Sequence, residues 1–279
     1  MTSGALALTT PTVAKGKNNP SKKLRVSRGA QGVFSFFTAR SGARGPLTVP
    51  TRWVKMVAGI FLLPVAGILA QTFFTCLSHE TIHHAFWMTH EFCFFAIGAL
   101  LWTSTFFFLP RPLWIYVFGH ELTHAIWVWA MGGRVSKFKV TSDGGHIITD
   151  THNFWIALAP YFFPIYSVLV IALYGGASLF WEMFRYRDAL FALIGATWAF
   201  HVCFTLWMIP KGQSDLKYHG TFFSLVIIGI MNIALMSVLL ILASPHVTWR
   251  LFAHKFFENA ETFSAWVRDT FQALLAALM

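Results

Sequence analysis

The sequence predicts an all-α polytopic membrane protein with about six transmembrane helices and a small β-hairpin after the third. Three observations predict it. The 279 residues are 56% hydrophobic, 17% aromatic and only 11% charged, with a mean hydropathy of +0.58, a balance that a soluble domain does not carry. Apolar runs recur at the length a helix needs to cross roughly 30 Å of hydrocarbon. One of those runs, Leu113 to Met131, contains two His and a Glu, groups expensive enough in lipid to be functional by default.

Residues 1–52 are rich in Ser, Thr, Gly, Pro and basic side chains, with no acidic residue before Glu80. Such a segment cannot bury a core and is expected to be disordered. An acid-free leader of this kind is also compatible with an organelle transit peptide. The default expectation is a cytoplasmic tail touching anionic lipid headgroups. Lysines beside a span are more often an orientation signal than a nucleic-acid site, so no nucleic-acid partner is expected.

The six expected spans lie over 53–74, 92–109, 113–131, 154–174, 189–209 and 222–243, within a transmembrane domain over 53–244. Pro110 and Pro112 separate the second from the third, and Pro160 and Pro164 should kink or interrupt the fourth. With the N-terminus inside, six spans place sixteen Lys and Arg inside and five outside. Ten of the sixteen belong to the N-terminal stretch from Lys15 to Lys55, so the orientation rests on that stretch. The expected location is the cell (inner) membrane, multi-pass, with a cytoplasmic N-terminus. Between Gly132 and Asn153, alternating residues from Arg134 to Thr141 and the Asp143-Gly144-Gly145 turn signal predict a β-hairpin. Residues 245–279 place Phe252, Phe256, Phe263 and Phe271 near helical spacing with charges between, as in an interfacial amphipathic helix or a docked cytoplasmic helix pair.

The chemistry centres on His120-Glu121-Leu122-Thr123-His124, an H-E-x-x-H motif. Residues four apart share a helix face, so His120 and His124 can ligate one ion while Glu121 serves as general base. Zinc is the expected metal, and it would act as a Lewis acid and lower the pKa of a water to about 7. Chance placement of this composition yields about 0.01 such matches. A catalytic zinc usually takes three protein ligands. Asp215, an isolated acid returning to the membrane edge, is the leading third donor, with His219 and His201 as alternatives for ligation or oxyanion stabilisation. A buried His pair without metal is the plain structural alternative.

These parts together resemble the site-2 protease family of intramembrane zinc metalloproteases. The matching stretches are Gly119-His120-Glu121-Leu122-Thr123-His124-Ala125, then Gly132-Gly133-Arg134-Val135 opening the hairpin, Ala159-Pro160 within a span, and Asp215 ahead of a later one. The resemblance implies that His120, His124 and Asp215 bind zinc and that Glu121 activates water. It further implies that the substrate is a membrane-spanning protein cut in or near the bilayer.

A second match, His79-Glu80-Thr81-Ile82-His83-His84, has the form of one histidine box of membrane diiron desaturases and hydroxylases. The chain offers no second His-His pair to complete such a site. The other expectations for His79, His83, His84 and His90 are a polar cluster in the loop after the first span, or a separate regulatory or adventitious metal site. Three classes therefore stand side by side: an intramembrane zinc endopeptidase, a diiron lipid-modifying oxidoreductase, and a non-catalytic zinc-binding scaffold.

Overall fold

The computed structural model describes residues 51–141 and 144–279. The basic stretch up to residue 50, and Asp143 of the turn signal, lie outside them. Nine helices and one hairpin are described: α1 (Thr51–His83), α2 (His90–Phe108), α3 (Leu113–Ala130), β1 (Val135–Thr141), β2 (Gly144–Thr149), α4 (Phe154–Phe162), α5 (Ile165–Ser178), α6 (Arg187–Met208), α7 (Ser214–His219), α8 (Thr221–Ala243) and α9 (Trp249–Leu278). Local chemistry sets several starts. The side chains of Thr89, Asn153 and Thr248 accept the backbone N–H three residues on, capping α2, α4 and α9.

Among the described residues four helices are long and apolar enough to cross a membrane, and α4 with α5 makes a fifth if that bent pair counts as one span. Six spans are expected from the sequence, and the contacts give the relative directions of the helices. Glu91 and Asp188 of α2 and α6 lie beside Arg187 and His90 at one end, and Phe106 packs on Phe204 and Trp207 at the other, so α2 and α6 run parallel. Lys55 meets His219, Gly59 faces Phe222 and Glu80 meets Ser244, so α1 and α8 are parallel too. Six alternating crossings would make the first and last antiparallel; five make them parallel. The third apolar run, α3, is not among the helices that meet the length and hydropathy of a span. His124 meets Ile156 and His120 packs on Tyr161, so α3 runs antiparallel to α4, and Tyr166 of α5 reaches back to Ile115.

The fourth run is broken as its prolines predict. Helices α4 and α5 meet at a 74° bend around Phe163 and Pro164. Leu100, Leu101, Phe107 and Phe108 on α2 are exposed, as side chains facing lipid tails should be. Helix α9 is one continuous element. Its first half packs on α1, where Phe252 joins the cluster of Phe73 and Cys76 and Asn259 Nδ2 donates to Thr72 Oγ1 at 3.0 Å.

The expected hairpin forms, antiparallel, with Lys137 opposite Ile148, Phe138 opposite Ile147 and Lys139 opposite His146, and a register irregularity between Val135 and Lys137. It packs against α3 through Phe138 and Phe118.

The tightest helix pair is α2 with α6. A Cβ on Gly98 would collide with the Ala192 carbonyl, and one on Gly195 with the Phe95 carbonyl. Small residues at such crossings let backbones approach where lipid removes any hydrophobic drive for association. We expect Gly98→Ala or Gly195→Ala to cost about 1–3 kcal/mol by overpacking, read as a lowered midpoint of thermal unfolding in detergent. The control Gly175→Ala, with open space around it, should leave that midpoint unchanged.

Candidate metal centre

The polar residues of α3 all turn inward. His120, Glu121 and His124 are 4%, 2% and 8% exposed inside an apolar bundle. Asp215, the second residue of α7, reaches them from ninety residues downstream. His120 Nε2 and His124 Nε2 lie 3.2 Å apart, and Asp215 Oδ2 lies 3.5 Å from the first and 3.6 Å from the second. Tetrahedral ligation with bonds of about 2.1 Å spaces its ligand atoms about 3.4 Å apart, which the three separations bracket. The structure thus brings together the motif histidines and Asp215 as one of two donor sets among the described residues that can hold a metal.

Two prolines make this site by what they omit. Pro160 has no N–H, so the carbonyl of Ile156, which that N–H would have bonded, is left open. His124 Nδ1 donates to it at 2.8 Å. The bond fixes the tautomer and leaves the Nε2 lone pair facing His120 and Asp215. Past the second break, Ile165 N bonds Phe163 O instead of Tyr161 O. Asn232 Nδ2 fills that vacancy from α8, donating to Tyr161 O at 3.0 Å. The anchored Tyr161 in turn donates its hydroxyl to Asp215 Oδ2 at 3.2 Å, and Tyr116 Oη lies 3.4 Å from His120 Nδ1.

The donor set fits a cation. Two imidazole lone pairs and a carboxylate oxygen converge within 3.6 Å, an arrangement that repels itself without a positive charge between. Glu121 lies beside the set and is not part of it. Its Oε1 is buried with no hydrogen-bond partner, and its chain packs against Gly145 of β2. It opens with His124 and Asp215 onto a cavity of about 570 Å³ whose other wall includes His146, Ile147 and Ile148.

The alternative third donors are placed elsewhere. His219 Nδ1 accepts from Lys55 Nζ at 2.7 Å and its ring stacks on His152. His201 sits buried in α6 beside the Tyr161 carbonyl and Asn232. The expected loop cluster is also revised: His79, Glu80 and His83 belong to the last turns of α1, which extends nine residues beyond the expected span. Sequence reasoning missed Tyr116, Tyr161 and Asn232 as supports. The only signal was Pro160 and Pro164 flanking Tyr161, which announces a broken helix without saying what fills the carbonyls the break opens. Compared with family models, curated proteins and solved structures, the chain gives no match.

Two expectations follow from this geometry. A Cβ on Gly145 would lie 2.5 Å from Glu121 Cγ and 2.9 Å from Val117 Cγ1, so Gly145→Val should displace the hairpin from α3. Metal retention by the protein should stay intact, and protease accessibility of the hairpin should rise. Burial, with Lys55 and His152 adding, pushes His219 down to about 4 from its ordinary 6.5. A depressed imidazole means the unfolded chain binds more protons between those values, so stability present above pH 6.5 is lost as pH falls toward 4. His219→Gln should flatten that slope in thermal melts taken across the window.

Proposed function

We propose that the chain is an intramembrane zinc endopeptidase of the site-2 protease type, hydrolysing a peptide bond of a membrane-embedded protein. The observation that carries this reading is the convergence of Asp215 on His120 and His124 beside a buried Glu121 whose Oε1 has no hydrogen-bond partner among the described residues. Zinc suits a set of two imidazole nitrogens and one carboxylate oxygen, with a fourth position left for water.

When bound, the ion supplies Lewis acidity and lowers the pKa of water to about 7. The residues of the chain do the rest. His120, His124 and Asp215 hold the ion, with His124 oriented by Ile156 O and Asp215 by Tyr161. Glu121 takes a proton from the attacking water and returns it to the departing amine. An extended peptide lying along β2 would pair with the strand edge that is unpaired among the described residues, beside the cavity lined by Ile147 and Ile148. A membrane helix would have to unwind locally to do so, which places the cut near the edge of its span.

The test uses the full chain reconstituted in lipid vesicles with a single-span reporter protein, cleavage being read by mass spectrometry. Glu121→Gln should lower turnover by about 10²–10⁴-fold with zinc retained, whereas His124→Ala should lose both zinc and cleavage. Cleavage by Glu121→Gln at the wild-type rate would overturn the mechanism. Zinc held by a wild-type chain that cleaves nothing would favour the scaffold, and iron held in pairs the oxidative reading.

A further inference from the structure

We propose that His79, Glu80 and His84 form a second metal site, taking one divalent transition-metal ion of the zinc class at the opposite end of the α1–α8 pair. The inference stands apart from the peptidase reading. Glu80 is 1% exposed, yet its Oε1 has no hydrogen-bond partner. Among the described residues no Lys or Arg pairs with it. Facing that same oxygen are His79 Nδ1 at 3.9 Å and His84 Nε2 at 4.0 Å, too far for hydrogen bonds and slightly wider than the edge of a tetrahedral ligand set. A buried carboxylate oxygen facing two imidazole nitrogens suits a cation, and nitrogen donors select a zinc-like ion over calcium or magnesium.

The other carboxylate oxygen is already fixed. Ser244 donates its hydroxyl to Glu80 Oε2, while the backbone N–H groups of His246 and Val247 donate to Ser244 Oγ at 3.2 and 3.3 Å. His246 Nδ1 lies 3.4 Å from Oε2, and its ring stacks on His84 with centroids 3.7 Å apart. These partners orient the ligands, as outer-shell groups do in metal sites. His79 and His84 are partly exposed, 56% and 33%, so an ion can enter from water. The site is distinct from the first. Lys55 and Glu80 are twenty-five residues apart on one helix, roughly 37 Å of rise, and Lys55 marks the end where α7 carries Asp215. Loading the second site would fasten the end of α1 to the connector between α8 and α9.

The experiment counts metal in the full chain in detergent, stripped with a chelator, reloaded with Zn²⁺ and desalted. Wild type should retain two zinc ions per chain, the double variant His79→Ala/His84→Ala one, and His120→Ala/His124→Ala one. The last variant leaves the second site intact, so its Co²⁺ form should show the visible absorption of a tetrahedral nitrogen–oxygen site, and Zn²⁺ should raise its melting temperature. One zinc in wild type, kept by His79→Ala/His84→Ala and absent from His120→Ala/His124→Ala, would overturn the second site and leave the first standing. The reverse pattern would do the opposite. No Co²⁺ band and no thermal shift in His120→Ala/His124→Ala would overturn it whatever the folding of the other variant.

Discussion

The burial of His120, Glu121 and His124 in an apolar helix bundle is the constraint from which the surrounding structure follows. An unpaired polar group in such a place is costly, so each atom of the set needs a partner that does not consume the lone pairs pointing at the centre. The chain meets this with backbone carbonyls released by proline. Pro160 frees Ile156 O for His124, and the break at Pro164 frees Tyr161 O for Asn232, which steadies the tyrosine that holds Asp215. A helix without those prolines would satisfy its own carbonyls and offer nothing to the imidazoles. The 74° bend between α4 and α5 is therefore a by-product of building the site, and the close pairing of α2 with α6 supplies the rigid wall behind it.

Much of this was legible in the sequence where the signal is local. Spacing of four along a helix placed His120 and His124 together. Alternation and the glycines after Thr141 predicted a hairpin, and two prolines predicted the break. The pairing of Asp215 with the histidines is long-range, and what pointed to it was the scarcity of acids, since an isolated carboxylate near a membrane edge has few other reasons to be there. Tyr161, Asn232 and Lys55 carried no such signal. Tyrosine and asparagine in apolar helices have many uses, and only the fold reveals which carbonyl or carboxylate they meet.

The sequence predicts six spans, and four or five helices among the described residues are long and apolar enough to be spans. Hydropathy measures whether a segment tolerates lipid and does not record its direction. The run over 113–131 is apolar enough to suggest a span, yet Tyr116, Val117, Ala125 and Val128 use that character to pack inside the protein. A helix face packed on other helices reads much like one facing lipid. Lys55 and His219 meet at one end of the α1–α8 pair, the end where α7 also carries Asp215, and Glu80 and Ser244 meet at the other.

The parallel pairing of α1 and α8 gives those two ends a mechanical meaning. Asp215 belongs to a short helix joined to α8 by Gly220, whose φ of 89° suits glycine alone. Its height relative to His120 and His124 is therefore set by where α8 sits along α1. That axial position is defined at two ends: by Lys55 and His219 beside the His120 cluster, and by Glu80 with Ser244 and His246 at the far face. Between them the contact is apolar, Phe73 and Cys76 against Leu240 and Ile241, and apolar side chains resist sliding less sharply than directed polar bonds do. An interaction that tightens the far end acts on the same coordinate that brings the carboxylate of Asp215 to the two imidazoles.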